Sequence, residues 1–379
     1  MGIKGTSNEA SSRMYEKIRP LLFRIEAERA HQLAVGSAWL AQVLNTSVLE
    51  STFAFGDGAL GQTLWGHNFS NPIGLAAGFD KNARLVPFWE KVGCGFVEVG
   101  SVTARKARGN KRPRAFRLPD DRALINRMGL NNQGAEKIAR RLQKLADKRS
   151  VPLGINLAKT HDDAIIGDAA VEDFRRSFHR LAPLADYIAL NISCPNTLDG
   201  KTFEDPEGLN ALLRVLFAER RKLGLDVPVL VKLAPLDTPK VVFDSLVEEI
   251  VEVALAYGVQ GFIATNTDPE RKNLKTPQAV LDRIGPGGLS GAPLAERSTQ
   301  LIRYLYRRTG GTIPIIGVGG VDSAEAAYAK LRAGASLVQL YTGLVYEGPG
   351  LIKKVKEGLV RLFEQDGYAS LRQVVGVDT

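Results

Sequence analysis

From residue 73 onward the chain repeats one pattern: a short apolar, β-branched run closed by small or polar residues, then a longer stretch with apolar positions every three or four residues. The short runs are PIGLAAG, FVEVGS, PLGINLA, YIALNIS, PVLVKLAP, GFIATN, IPIIGVGG and LVQLYTG. Helical periodicity follows over 135–148, 207–223, 240–257, 294–309 and 323–333. Eight strands alternating with helices predict an α/β fold, a (β/α)8 TIM barrel, over residues 51–379. A doubly wound open sheet is the competing architecture. Its phosphate loop follows the first strand, whereas the densest glycines here, Gly317, Gly319 and Gly320, follow the seventh.

Residues 1–50 have a different character. YEKIRPLLFRIEAERAHQLAVGSAWLAQVL carries apolar residues at helical spacing with basic ones between, which predicts two amphipathic helices with a break near Pro20. A helical cap on the barrel floor would bury that apolar face. A helix pair lying on a membrane surface would use it equally well, with Phe23 and Trp39 inserted and Lys17, Arg19 and Arg24 at the headgroups. Periodicity alone leaves both open. No apolar run approaches the roughly 20 residues that span a bilayer, and the first ten residues lack the apolar core of a secretory signal.

Composition narrows the class. With 379 residues, 44% of them hydrophobic, the chain can bury a large core. Its two cysteines, Cys94 and Cys194, are too few for a disulfide framework and cannot build a metal cluster by themselves, so no metal and a free Cys194 thiol in a reducing compartment are expected. A net charge of +9 attracts anions without identifying them. The run TARKARGNKRPRAFR supplies Arg105, Lys106, Arg108, Lys111, Arg112, Arg114 and Arg117. Only Phe116 interleaves with it, so it reads as a solvated loop that draws in anionic substrate or lipid, and not as a nucleic-acid site.

In a barrel of this kind the site lies at the C-terminal ends of the strands. Asn156, Asn191, Lys232, Thr265, Asn266, Tyr341 and Thr342 fall there. Gly319, Gly320 and Gly343, with GGLSG at 287–291, offer backbone N–H groups to a phosphate-bearing ligand. Asn126, Asn191, Asn196 and Asn266 suit a planar ligand with ring N–H and C=O groups. Lys81 could hold a ligand carboxylate, and Lys232, inside an apolar strand, calls for a buried anionic partner. Cys194 follows the fourth strand. The four histidines, His31, His67, His161 and His179, lie away from the strand ends, so the thiol suits a proton acceptor better than a His-activated nucleophile. Cys94, in KVGCGFVEV, reads as packing.

In order along the chain, NPIGLAAGFDKN, VEVGSVT, RPRAFRLPDDRALINRMGLNN, NISCPNT, VKLAP, TNT, GGLSG, IIGVGG and LVQLYTG resemble the dihydroorotate dehydrogenase family over nearly the whole sequence. RIEAERAHQLA resembles the helical extension of its quinone-dependent, membrane-associated class 2 members, which favours the membrane reading of residues 1–50. The resemblance implies FMN held by Ala76, Ala77, Gly78 and Ser101, by Asn156, Asn191, Lys232 and Thr265, and by Ser290, Gly291, Gly320, Tyr341 and Thr342. It implies dihydroorotate contacts at Lys81, at Asn126, Arg127, Met128, Gly129 and Leu130, and at Asn191, Asn196, Asn266 and Thr267. It also implies a quinone passage past His31, Arg117 and Tyr341.

The implied reaction is the oxidation of dihydroorotate to orotate in pyrimidine biosynthesis. Cys194 removes the C5 proton, hydride passes from C6 to FMN N5, and ubiquinone or menaquinone reoxidises the flavin. The resemblance implies the membrane periphery, and a sequence without a transit-peptide-like start or a membrane-spanning run makes the cytoplasmic face of a bacterial inner membrane the expected location. One residue departs from the pattern: class 2 members usually carry serine where this chain has Cys194, and cysteine is the habit of soluble class 1. A soluble-type acceptor, fumarate or NAD, is therefore one alternative. A flavin-binding barrel without catalysis, serving as a membrane-surface scaffold, is the other. The extension and the FRLPDD segment span many residues, against one atom at position 194, and favour the quinone.

Overall fold

The computed structural model describes residues 6–44, 46–193, 203–235 and 245–379. The eight apolar runs form eight strands: β1 Ile73–Leu75, β2 Phe96–Val102, β3 Leu153–Leu157, β4 Tyr187–Asn191, β5 Val229–Leu233, β6 Gly261–Ala264, β7 Ile315–Val318 and β8 Leu337–Leu340. Each pairs in parallel with its neighbours in sequence, and β8 pairs with β1, Val338 opposite Ile73, to close the barrel. Strands buried on both faces read as continuous apolar runs, which is why they stand out in the sequence. Helices α1 Thr6–Arg24, α2 Ala27–Leu44 and α3 Thr46–Phe53 precede the barrel. Around it run α4 Val86–Lys91, α5 Ala135–Gln143, α6 Gly167–Leu181, α7 Pro206–Lys222, α8 Ser245–Ala256, α9 Gln278–Ile284, α10 Ala295–Arg308, α11 Ala324–Arg332, α12 Thr342–Glu347 and α13 Leu351–Gln365.

The barrel interior is layered with the two-residue period of its strands. Phe96, Tyr187, Leu230, Ile263, Ile316 and Leu337 form the lower, apolar layer. Gly74 and Gly154 make room for it: a Cβ would lie 2.4 Å from the Phe96 ring at the first and 2.0 Å from the Tyr187 ring at the second. A hairpin, Gln62–Leu64 with His67–Phe69, closes the floor, where the Trp65 ring packs tilted against Tyr187 and the Phe69 ring edge-on against Phe96. Two residues further along β2, β3, β5 and β8 the interior turns polar, with Glu98, Asn156, Lys232 and Gln339 all buried. Over the upper end lies a three-stranded antiparallel sheet, Ala115–Leu118, Ala123–Asn126 and Gly288–Gly291.

The N-terminal helices differ from expectation at their elbow, and of the two placements left open by periodicity they do not take the floor. The break falls at Ile25–Glu26 and α1 runs through Pro20, because the Glu26 carboxylate caps α2 by accepting from the backbone N–H groups of Glu28 (3.0 Å) and Arg29 (3.1 Å). The helices also sit at the mouth of the barrel and not on its floor. Arg19 Nη1 donates to Tyr346 O beyond β8 (2.7 Å), and His31 Nε2 lies 3.1 Å from Phe79 O beyond β1.

The basic run is likewise more than a solvated loop. Buried Arg114 grips buried Glu28 of α2 with two bonds, Nε to Oε2 (2.9 Å) and Nη2 to Oε1 (2.7 Å), and Arg112 adds a third at 2.9 Å. Burial alone would raise the Glu28 carboxyl, but the hydrogen bonds from Arg114 and Arg112 outweigh it and hold it below the ordinary carboxylate range. A carboxyl held low stabilises the fold above its unfolded-state value and loses that contribution as pH falls through its folded value. Glu28→Gln is therefore expected to lower stability at pH 7 by about 2 kcal/mol. The gap from wild type should narrow as the pH falls from the ordinary carboxylate range, about 4, through the lower value that the folded carboxyl holds. Thermal unfolding at pH 7 and below that range checks this, and an equal loss at both would show that charge is not what holds the helices.

Candidate active site

The loops at the C-terminal ends of the strands enclose a cavity. Ala76, Ala77, Gly78 and Lys81 border it after β1 and Ser101 at β2, while Asn191, Lys232, Thr265, Asn266 and Thr267 come from the ends of β4, β5 and β6. The covering sheet and the turn after it contribute Asn126, Met128, Gly129, Leu130, Ser290 and Gly291. Gly320, Tyr341 and Thr342 complete it after β7 and β8.

Two expected residues are placed otherwise. Asn156 is fully buried behind Ser101 and reaches the cavity only through that hydroxyl. Arg127 turns its guanidinium away, donating to Ile284 O and Pro286 O and stacking 4.7 Å over the Phe116 ring, so it braces the covering sheet. Cys194 and Asn196 lie outside the described residues. Gln339, Val318 and Leu294 also border the cavity and were not anticipated. For Gln339 the available signal was a polar residue in the apolar run LVQLYTG.

The polar groups of the site are held by one another. Asn266 Nδ2 donates to Asn191 Oδ1 (3.0 Å), Asn191 Nδ2 to Ser101 Oγ (3.1 Å), and Ser101 Oγ to Asn156 Oδ1 (2.5 Å). Asn266 Nδ2 also reaches Ser193 O at 2.6 Å, which ties the end of β4 to the end of β6. Lys81 stands on a loop fixed by Asp80, whose buried carboxylate accepts from the backbone N–H groups of Arg84 (2.9 Å) and Leu85 (2.7 Å). Lys81 Nζ donates to Gly78 O at 2.6 Å. Enclosure pushes this ammonium down to about 8, since the charged form loses water, and the Arg114 charge adds to the depression.

The turns that follow β6, β7 and β8 have the chemistry of a phosphate cradle. The backbone of Gly319–Val321 and Thr342–Gly343 borders the cavity. Gly320 has φ +70°, and a Cβ there would lie 2.4 Å from Ala295 at the start of α10, so only bare backbone fits between helix and cavity. The Ser290 and Thr342 hydroxyls face each other at 2.9 Å. Gln339, at the cavity, has a buried Oε1 with no hydrogen-bond partner among the described residues. A phosphate-bearing, planar, hydrogen-bonding molecule such as a flavin mononucleotide fits this set.

The sequence profile of the dihydroorotate dehydrogenase family matches residues 59–363. The chain belongs to the dihydroorotate dehydrogenase family. A family member from Deinococcus radiodurans is 44% identical over 379 residues, covering 96% of this chain and 100% of its own. Another, from Roseiflexus castenholzii, is 44% identical over 367 residues, covering 96% and 97%. Both are named dihydroorotate dehydrogenase (quinone). The crystal structure of the Eimeria tenella dihydroorotate dehydrogenase in complex with ferulenol superposes with a TM-score of 0.80 at 33% identity, covering 93% of this chain and 95% of that one.

Of the three dihydroorotate dehydrogenase residues expected along a quinone passage, the fold joins two. His31 borders a second cavity of about 840 Å³ between α2 and the 79–84 loop, and Tyr341 borders the first. Phe79 stands between them, its ring 4.9 Å from His31 and 5.3 Å from Tyr341. Arg117 lies apart, donating to Ile25 O (2.8 Å) and stacking 4.7 Å over Phe23, where it pins the elbow between α1 and α2. Desolvation and the Lys81 charge push His31 down to about 4, so its ring is neutral at pH 7. Cys94, buried against the barrel, is pushed up to about 12 and is inert.

Proposed function

We propose that the protein oxidises dihydroorotate to orotate, with FMN as resident cofactor and a quinone as final electron acceptor. The observation that carries this reading is the convergence of Lys81, Asn126, Asn191 and Asn266 with a glycine-lined phosphate cradle in one cavity of a dihydroorotate dehydrogenase barrel. Relatives named for the quinone reaction at 44% identity support the acceptor. Ala76, Gly78, Ser101, Lys232, Gly320 and Thr342 would hold the cofactor. When bound, FMN supplies the acceptor for the hydride that leaves C6. Lys81 would bind the substrate carboxylate, while the amides of Asn126, Asn191, Asn196 and Asn266 orient the ring N–H and C=O groups. Cys194, as thiolate, would take the C5 proton and become a thiol.

Residues 1–50 would form the quinone-access and membrane-contact segment on the 51–379 catalytic barrel. Eight of the eleven large hydrophobic side chains left exposed among the described residues, including Leu21, Trp39, Val43 and Leu44, lie on α1–α3, a concentration that suits insertion into one leaflet. Among the described residues no helix is long and apolar enough to cross a membrane. The contact would be peripheral, at the cytoplasmic face of a bacterial inner membrane. Neutral His31, donating Nε2–H to Phe79 O, keeps Nδ1 as an acceptor for a molecule beside Phe79.

Purified protein is expected to show flavin absorbance that bleaches on anaerobic addition of dihydroorotate, with colour returning on adding decylubiquinone. Persistent colour would rule out the oxidation. Steady-state rates with decylubiquinone, fumarate and NAD then separate the acceptors, and a preference for fumarate or NAD would move the protein to the soluble type that Cys194 resembles.

A further inference from the structure

Glu98 points into the barrel from β2, is fully buried and does not border the cavity. Three donors converge on its two oxygens: Asn156 Nδ2 on Oε1 (3.0 Å), and Tyr187 Oη (3.0 Å) and Gln339 Nε2 (2.7 Å) on Oε2. That is the surrounding of an ionised carboxylate, which accepts and never donates. The Asn156 bond continues the series running from Asn266 through Asn191 and Ser101, so four successive hydrogen bonds all donate toward Glu98.

We propose that Glu98 is a positioning residue, which orients Asn156, Ser101, Asn191 and Asn266 from beneath and so sets the pattern of donors and acceptors that the site turns toward flavin and pyrimidine. The proposal rests on the flavin and dihydroorotate reading above. An asparagine amide can present either its oxygen or its NH2 to a neighbour at little cost, and a row of asparagines and a serine could run in either direction. An acceptor-only group at one end removes that freedom. Asn156 must give its NH2 to Glu98 and its oxygen to Ser101, Ser101 must spend its proton on Asn156, and Asn191 must donate to Ser101 and accept from Asn266. Bonds in one direction also polarise one another. Gln339 is held by the same carboxylate through its NH2, which aims its partnerless oxygen away from Glu98.

The test measures FMN binding to apoprotein by quenching of free-flavin fluorescence, the absorption spectrum of bound flavin, the KM for dihydroorotate and the thermal midpoint. Glu98→Leu removes the acceptor and is expected to weaken FMN about thirtyfold, with a shifted flavin spectrum and a raised KM. Glu98→Gln keeps an oxygen for Asn156 and offers its NH2 to Tyr187 Oη and, once the Gln339 amide has turned over, to the Gln339 oxygen, so it should recover most of the loss and bind only about threefold more weakly than wild type. FMN affinity within twofold of wild type in Glu98→Leu, or no recovery in Glu98→Gln, overturns the proposal. Should Glu98→Leu fail to fold, Glu98→Gln decides alone: affinity and KM both equal to wild type overturn it. Wild-type protein that binds no flavin would overturn the underlying reading as well, whereas unchanged variants overturn the proposal only.

Discussion

Cys194→Ala is expected to slow dihydroorotate oxidation by about 10²–10⁴-fold, the usual contribution of a positioned general base, while FMN stays bound. Stopped-flow reduction of the flavin by dihydroorotate measures the step without involving the second substrate. Cys194→Ser should keep part of the activity, because a hydroxyl can occupy the same position. Its rate must rise with pH later than that of the wild type, since a hydroxyl is a far weaker acid than a thiol with an ordinary value near 8.5. Full activity in the alanine variant would remove the thiol from the chemistry and leave the NISCPNT segment to substrate binding alone.

Lys81→Met is expected to raise the KM for dihydroorotate by about 10²-fold, the cost of leaving a desolvated carboxylate without its cation. The side chain is shorter in polar reach but similar in volume, so folding should survive. The pH profile provides a sharper check. Because enclosure holds Lys81 down to about 8, the free enzyme loses this cation as pH rises through that value, and kcat/KM should fall there. In the complex the substrate carboxylate favours the ammonium, so the corresponding limb of kcat lies at higher pH. The thiol acts in the opposite sense, since a base must be deprotonated. The full profile of kcat/KM is thus a bell, with its rising side moved by Cys194→Ser and its falling side removed by Lys81→Met. A falling limb that survives in Lys81→Met would assign it to another group.

The barrel was legible because its strands are buried on both faces and end abruptly in polar residues: YIALN stops at Asn191, GFIA at Thr265 and LVQL at Tyr341, and all three endings line the cavity. Buried partnerships of charged residues left no comparable trace. Arg114 sits in a run of basic residues that looks the same whether solvated or clamped, and its partner Glu28 is 86 positions away. Glu98 reads in FVEVGS as one polar position of an alternating strand, and nothing in the sequence shows that three donors meet it. Helical periodicity identified the apolar faces of α1 and α2 but not where they dock, since a stripe of hydrophobic residues fits a floor, a mouth or a bilayer equally. Pro20 misled on the elbow because a proline costs one helical bond, which a helix held from the side by Tyr15 and Arg19 tolerates. The resemblance supplied the list of ligand contacts, and Arg127 shows its limit: motif membership gives a position along the chain, not the direction in which the side chain turns.

The location of α1 and α2 also governs how molecules travel. The hairpin under Tyr187 seals one end of the tube, while the helices and the three-stranded sheet roof the other. The two cavities at that end meet in a common wall, where Lys81 and Met128 border both. On the proposed function, a pyrimidine in the first cavity and a quinone in the second would react in turn at one cofactor without occupying the same space.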